Sequence, residues 1–305
     1  EDLTKDKQSR HEFIYPNYSL QKRFLSEKGN KYVLKSYGNQ RKYNTNIYEG
    51  IIVNDFEFNT FSKFSNKGLV TNYKMLIKNT NIDAKNSNKH KDKFEQNLSS
   101  VMQYNMELPL KKESSEFINN LTPKIALMYS PNKSKNLSSD NRRMDTSNIY
   151  SLNRIANNET VEGGASLTYG AIFNKKNKET KQDNLNLEIA SLLRINENPD
   201  LSTSSTIGQK MSDIFGNIEL YPNDNLSLKY NFSIDNNFDK TNYDSISTKF
   251  IVNKFVTSFE YSDEKSKLIN ESFTSNSTSF EIDKNNNINF NTRRNNEKSA
   301  TEFYN

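Results

Sequence analysis

The sequence predicts an all-β chain whose antiparallel strands form part of a transmembrane β-barrel. Three observations predict it. Apolar residues recur with a period of two. The polar connections alternate between short and long. Mean hydropathy is low at -0.92, with only 33% hydrophobic residues, although the 305 residues include 19 Phe and 16 Tyr. Composition this polar points toward disorder, but disordered chains are poor in aromatics. A wall with one face on lipid and one on water reconciles the two, because only alternate strand positions need be apolar.

The strands can be justified one by one. Ala165, Leu167, Tyr169, Ala171 and Phe173 alternate with Ser166, Thr168 and Gly170. Leu185, Leu187 and Ile189 alternate with Asn184, Asn186 and Glu188, and Phe255, Thr257, Phe259 and Tyr261 keep the same rhythm. The longest run is Leu226, Leu228, Tyr230, Phe232 and Ile234 against Ser227, Lys229, Asn231 and Ser233. Each pattern is that of a strand with one apolar and one polar face. No segment holds helical spacing beyond two turns, so helix content is expected to be low.

Turn residues separate the strands. Pro222-Asn223-Asp224-Asn225 predicts a tight hairpin between 218–221 and 226–234, and 283–287 predicts another. A short link is expected near Asn253-Lys254. Long polar connections are expected at about 83–93, 131–160, 196–206, 236–243 and 263–271. Short turns on one side and long loops on the other are the mark of outer-membrane barrels. About 14 strands are expected, each near the length needed to cross a bilayer at a tilt. A soluble sandwich of this size would call for more turn formers than 9 Gly and 6 Pro. No repeat period of solenoid type appears.

Composition excludes several functions. With no Cys there is no disulfide, thiolate zinc site or thiol catalysis. The 48 Asn and many Lys are what A/T-rich codons produce. Basic residues are scattered among acids and amides, even in Lys89-His90-Lys91-Asp92-Lys93, so no nucleic-acid partner is expected. His11 and His90 are the two histidines, both in polar stretches expected to be exposed, and neither is placed as a general base. No phosphate loop, zinc signature or EF-hand loop occurs, so no cofactor, metal or enzymatic activity is expected. No apolar run is long enough for a membrane-spanning helix.

The stretch 131–160 is too long for a plain linker. It brings Arg142, Arg143 and Arg154 near Asp140, Asp145 and Glu162, with the amides of Asn148 and Asn153. Bidentate Arg–carboxylate pairs could tie such a loop down, bracing the barrel mouth or lumen, alone or against a plug protein. A loop that only fixes barrel shape would use the same residues, and both roles stay open here. Gly163-Gly164 is expected to allow a bulge or a close backbone approach where the next strand begins.

A longer motif runs through this region. It reads Thr122-Pro123-Lys124-Ile125, Tyr129-Ser130-Pro131-Asn132, Asp140-Asn141-Arg142-Arg143-Met144-Asp145, Asn148-Ile149-Tyr150-Ser151-Leu152-Asn153-Arg154-Ile155 and Thr160-Val161-Glu162-Gly163-Gly164-Ala165. It resembles the barrel signature of LptD, the outer-membrane lipopolysaccharide-assembly family. Flanking runs resemble the same family in the same order: 10–19, Asn54-Asp55-Phe56, Asn291-Thr292-Arg293-Arg294-Asn295 and Thr301-Glu302-Phe303-Tyr304.

The resemblance implies non-enzymatic passage of lipopolysaccharide into the outer leaflet of the outer membrane. Its implied partners are an LptE-like plug lipoprotein, an LptA-like periplasmic bridge protein and outer-membrane lipid. The competing function is a general porin or a ligand-gated receptor barrel. The family's N-terminal jelly-roll domain and its cysteines have no counterpart in these residues. Residues 1–305 are therefore expected to be an internal piece of one barrel domain.

Overall fold

Alternation along the chain becomes one continuous antiparallel meander. The computed structural model describes residues 12–43, 46–266, 268–284 and 286–304. Within them lie β1 (Glu12–Leu25), β2 (Lys31–Tyr43), β3 (Tyr48–Asn59), β4 (Lys63–Phe64), β5 (Val70–Lys85), β6 (Phe94–Glu107), β7 (Leu110–Glu113), β8 (Phe117–Ser130) and β9 (Gly164–Asn177). They continue as β10 (Asp183–Arg194), β11 (Ile214–Asn223), β12 (Leu226–Ile234), β13 (Thr241–Val252), β14 (Phe255–Lys265), β15 (Asn270–Glu281), β16 (Asn287–Asn295) and β17 (Ala300–Tyr304). The one helical element among the described residues is the single 3-10 turn Thr206–Gly208.

All 17 strands belong to one sheet. β4 extends β3 along β5, and β7 extends β6 along β8, so the wall is about two strands narrower than the strand count. That width agrees with the expected figure of about 14. The break between β6 and β7 has a local cause. Glu107 faces Lys124 and Leu110 faces Leu121, so Pro109 and Pro123 both fall in the gap. Proline has no N–H to give the ladder, so pairing lapses where the two meet.

The two faces are as different as the alternation implies. Large apolar side chains stand exposed on the outer face: Leu127 at 47%, Ile246 at 54% and Phe259 at 49%, with Leu34, Ile52, Leu98 and Phe290. Tyr230 and its cross-strand neighbours Ile218 and Ile246 lie on this same side. A soluble protein seldom leaves so continuous an apolar surface bare, whereas a lipid-facing belt requires it. The inner face carries Asp55, Lys78, Gln103, Asn105, Thr168, Ser233 and Ser245, all buried. Asn217, Asn231 and Ser245 bond across three adjacent strands of this face.

Short connections follow β1, β4, β7, β9, β11, β13 and β15, all at one end of the sheet. The opposite end carries the long ones, chiefly 86–93, 131–163 and 195–213, but the long connection expected at 263–271 shrinks to 266–269 because β14 and β15 pair out to Lys265 and Asn270. Those at 131–163 and 195–213 are longer than expected because 161–163 and 207–213 also stay out of the strands. Both fold back over the inner face and share an apolar core. Leu137, Met144, Ile149 and Ile155 of the first meet Leu201 and Ile207 of the second on a floor of Ala190, Leu192 and Phe215. A second cluster sets Val161 and Leu152 on Leu76, Val101 and Met128.

Candidate functional site

The site is the inner loop 131–163 and what holds it. At its centre is one carboxylate between two guanidiniums. Arg154 Nε donates to Glu162 Oε2 and Arg154 Nη2 to Glu162 Oε1, each at 2.6 Å. Arg194, the last residue of β10, donates Nη2 to Glu162 Oε1 from the other side. All three side chains are about 1% exposed.

The remaining donors are also matched. Arg154 reaches Thr168 Oγ1 at 2.9 Å, Ser166 Oγ at 2.6 Å and Ile149 O at 3.3 Å. Arg194 reaches Ile207 O at 2.6 Å and Gly163 O at 3.2 Å. Burial pushes the Arg154 guanidinium down from the usual arginine range, and the Glu162 carboxylate beside it offsets that cost. Buried charge is tolerated only when paired and hydrogen-bonded in this way.

A second anchor holds the loop to β3 and β5, which only β6 and β8 separate from β9 in the sheet. Lys78 Nζ contacts both oxygens of Asp55, at 2.8 and 3.0 Å, and donates to Asn158 O at 3.1 Å. Thr80 Oγ1 donates to Glu159 O at 3.0 Å, and Tyr37 OH to Asn158 O at 3.2 Å. Gln103 Nε2 donates to Tyr150 O at 2.9 Å, and Lys124 Nζ lies 4.6 Å from the Tyr150 ring centre. Burial pushes the Tyr150 hydroxyl up.

The other sequence-selected residues sit around this frame. Arg142 pairs with Asp140 at 3.6 Å on the surface and donates to Ala156 O. Arg143 stacks on Tyr243 at 4.0 Å and lies 4.0 Å from Glu264. Asp145 pairs with no arginine among the described residues; it caps a turn by accepting from the Ser147 N–H at 2.9 Å, while Asn148 accepts from the Asp145 N–H.

Ser151, Leu152 and Asn153 form the inward tip, where Asn153 N donates to Ser151 Oγ. Gly163 packs so closely that an added Cβ would stand 2.3 Å from Asn132 O, and Gly164 opens β9 at φ +90. Of the three arginines expected to make bidentate pairs, only Arg154 does so.

Sequence reasoning missed Arg194 and Lys78, and it read Asp55 only as part of a flanking run, not as an anchor. The available signal was charge on the inner face of otherwise apolar runs, as in Ala190, Leu192, Arg194. His90 departs from its expected exposure. It is 9% exposed, with Nε2 3.8 Å from Glu159 Oε1, because the 157–160 segment closes over it. His11 lies outside the described residues.

The family model described as "LptD: LPS transport system D" matches residues 54–296. The chain belongs to the LptD family. That match spans both anchors and the whole inner loop. No curated protein sequence matches. Among solved structures, a mutant of the Rh. blastica porin is similar at 7% identity, covering 83% of this chain and 88% of that chain with a TM-score of 0.30. LptD membership makes this an outer-membrane β-barrel protein of lipopolysaccharide transport.

Proposed function

We propose that this barrel delivers lipopolysaccharide into the outer leaflet of the outer membrane without any chemical step, and that the inner loop is a fixed brace in its lumen. The observation that carries the reading is the Arg154–Glu162–Arg194 cluster, which ties the loop to β9 and β10 in the middle of a family-matched segment. A loop held by buried charge at β9 and β10 and by Lys78 at β5 covers the inner face of the strands between them. Sugar would then move along the hydroxyl- and amide-lined face of β12–β16, where Asn231, Ser245 and Ser277 stand, while acyl chains stay with lipid. Asp140, Arg142, Arg143, Asp145 and Asn148 shape the outer part of the brace.

The family resemblance supplies the partners: an LptE-like plug lipoprotein against the brace and an LptA-like bridge protein bringing the cargo. The deciding test is surface display of lipopolysaccharide in cells whose full-length protein carries Arg154→Gln or Glu162→Gln. Display should fall while folded barrel persists in the membrane. Normal display in both variants would remove the brace from the transport path.

A further inference from the structure

We propose that the cavity under the loop tip is an entrance site for the phosphorylated sugar of lipopolysaccharide, with Lys31 and Lys74 as its charge contacts. This rests on the transport reading above and adds where the anionic part of the cargo is first held. The cavity measures about 720 Å³. Its walls come from β2, β3 and β5, and its roof is the tip Ser151-Leu152-Asn153. Gly29 of the β1–β2 turn also lines it, which places it at the short-turn end of the sheet.

Charge selects an anion. Three charged side chains line the cavity: Lys31, Glu57 and Lys74. Glu57 is already matched by Lys35 at 2.5 Å. Neither Lys31 nor Lys74 is in an ion pair among the described residues, and Glu107, the acid that bears on Lys74, is paired with Lys124 at 3.7 Å, so two ammonium groups face the space without a salt bridge. Lysine serves phosphate as a point charge that needs no fixed geometry.

Size and the rest of the lining select a sugar over a bare anion. Ser62, Asn72 and Ser151 border the space beside the lysines. An inorganic anion would leave most of the space empty, and an acyl chain would leave the lysines unmatched. A phosphorylated sugar offers anionic oxygens and hydroxyl donors together. The roof is firm enough to meet it, since Leu152 packs on the Leu76, Val101, Met128 and Val161 cluster.

The test is calorimetric titration of the full chain in detergent with three probes: deacylated phosphorylated sugar from lipopolysaccharide, the same sugar after phosphatase treatment, and inorganic phosphate. The phosphorylated sugar should bind about tenfold or more tighter than either control, the scale of one or two charged hydrogen bonds. K31Q/K74Q should abolish that preference. Equal binding of all three probes, or an unchanged preference in the double variant, would overturn the site. Heat-modifiable migration on gels checks folding, and K31Q alone, at an exposed position, serves if the double variant misfolds. If the preference is absent but Arg154→Gln still lowers surface display, the site is wrong and the transport reading stands. If the preference holds but display is normal, the brace fails and the site survives.

Discussion

Glu162 and Arg154 meet side-on through two hydrogen bonds of 2.6 Å, eight residues apart in sequence and shut away from water. Replacing Glu162 with Gln would leave two guanidiniums, Arg154 and Arg194, facing each other unneutralised. Removing one partner of a buried ion pair costs about 3–5 kcal/mol. Glu162→Gln should lower the temperature at which the folded band disappears on semi-native gels. Arg154→Lys should be nearly as harmful, because an ammonium cannot reproduce the paired donors. A variant as heat-resistant as the parent would show that the cluster does not hold the loop.

The Lys78 anchor predicts a different phenotype. Lys78→Met keeps the stem that packs against the wall but drops the contacts to Asp55 and Asn158 O. The 156–160 segment should become open to limited proteolysis while the barrel stays intact. Hydrogen exchange at Asn158 and Glu159 is the direct readout, and unchanged protection would refute the anchor.

Two glycines predict a contrast. At Gly163 a methyl group would stand 2.3 Å from the Asn132 carbonyl, which is backbone and cannot swing away. Gly163→Ala should destabilise by about 1–3 kcal/mol, the usual scale for overpacking. At Gly68, with φ +81 and nothing within 4 Å, Ala meets only backbone strain, about 1 kcal/mol. Urea titration of the two variants should rank them in that order.

The outer face predicts sensitivity to charge. Ile246→Lys puts an ammonium on the lipid side, which costs about 2–4 kcal/mol near mid-membrane. Ser247→Lys, one residue on, faces inward and should be tolerated. Folding yield into lipid vesicles distinguishes them; equal yields would contradict the assigned faces.

Much of this architecture was legible in the sequence, for definite reasons. Period two reports which face a residue takes, and Leu226 to Ile234 carried it without a break. Loop lengths report which end a connection occupies. The pairing of the arginines was not legible. Arg142, Arg143 and Arg154 look alike in a polar stretch, and only the fold decides that one is enclosed while one stacks on Tyr243 from β13. Arg194 was hidden because its carboxylate partner, Glu162, lies 32 positions upstream and meets it only through the fold. His90 was misread for the same reason: what covers it is a segment some seventy residues later.

The order of the three charged residues along the chain bears on how the protein is built. Arg154 and Glu162 belong to the loop, but Arg194 ends the second strand after it. If strands are added one by one, the loop is already present when β9 joins, and its second guanidinium arrives only with the end of β10. Until then the carboxylate has a single cation and the shared apolar core lacks Ala190 and Leu192, while Leu201, Ile207 and Phe215 follow only with the next connection and β11. The loop therefore sets late and in steps, with β10 closing the charge cluster and β11 closing the apolar core: a chain stalled before them would present an unsealed, protease-sensitive interior.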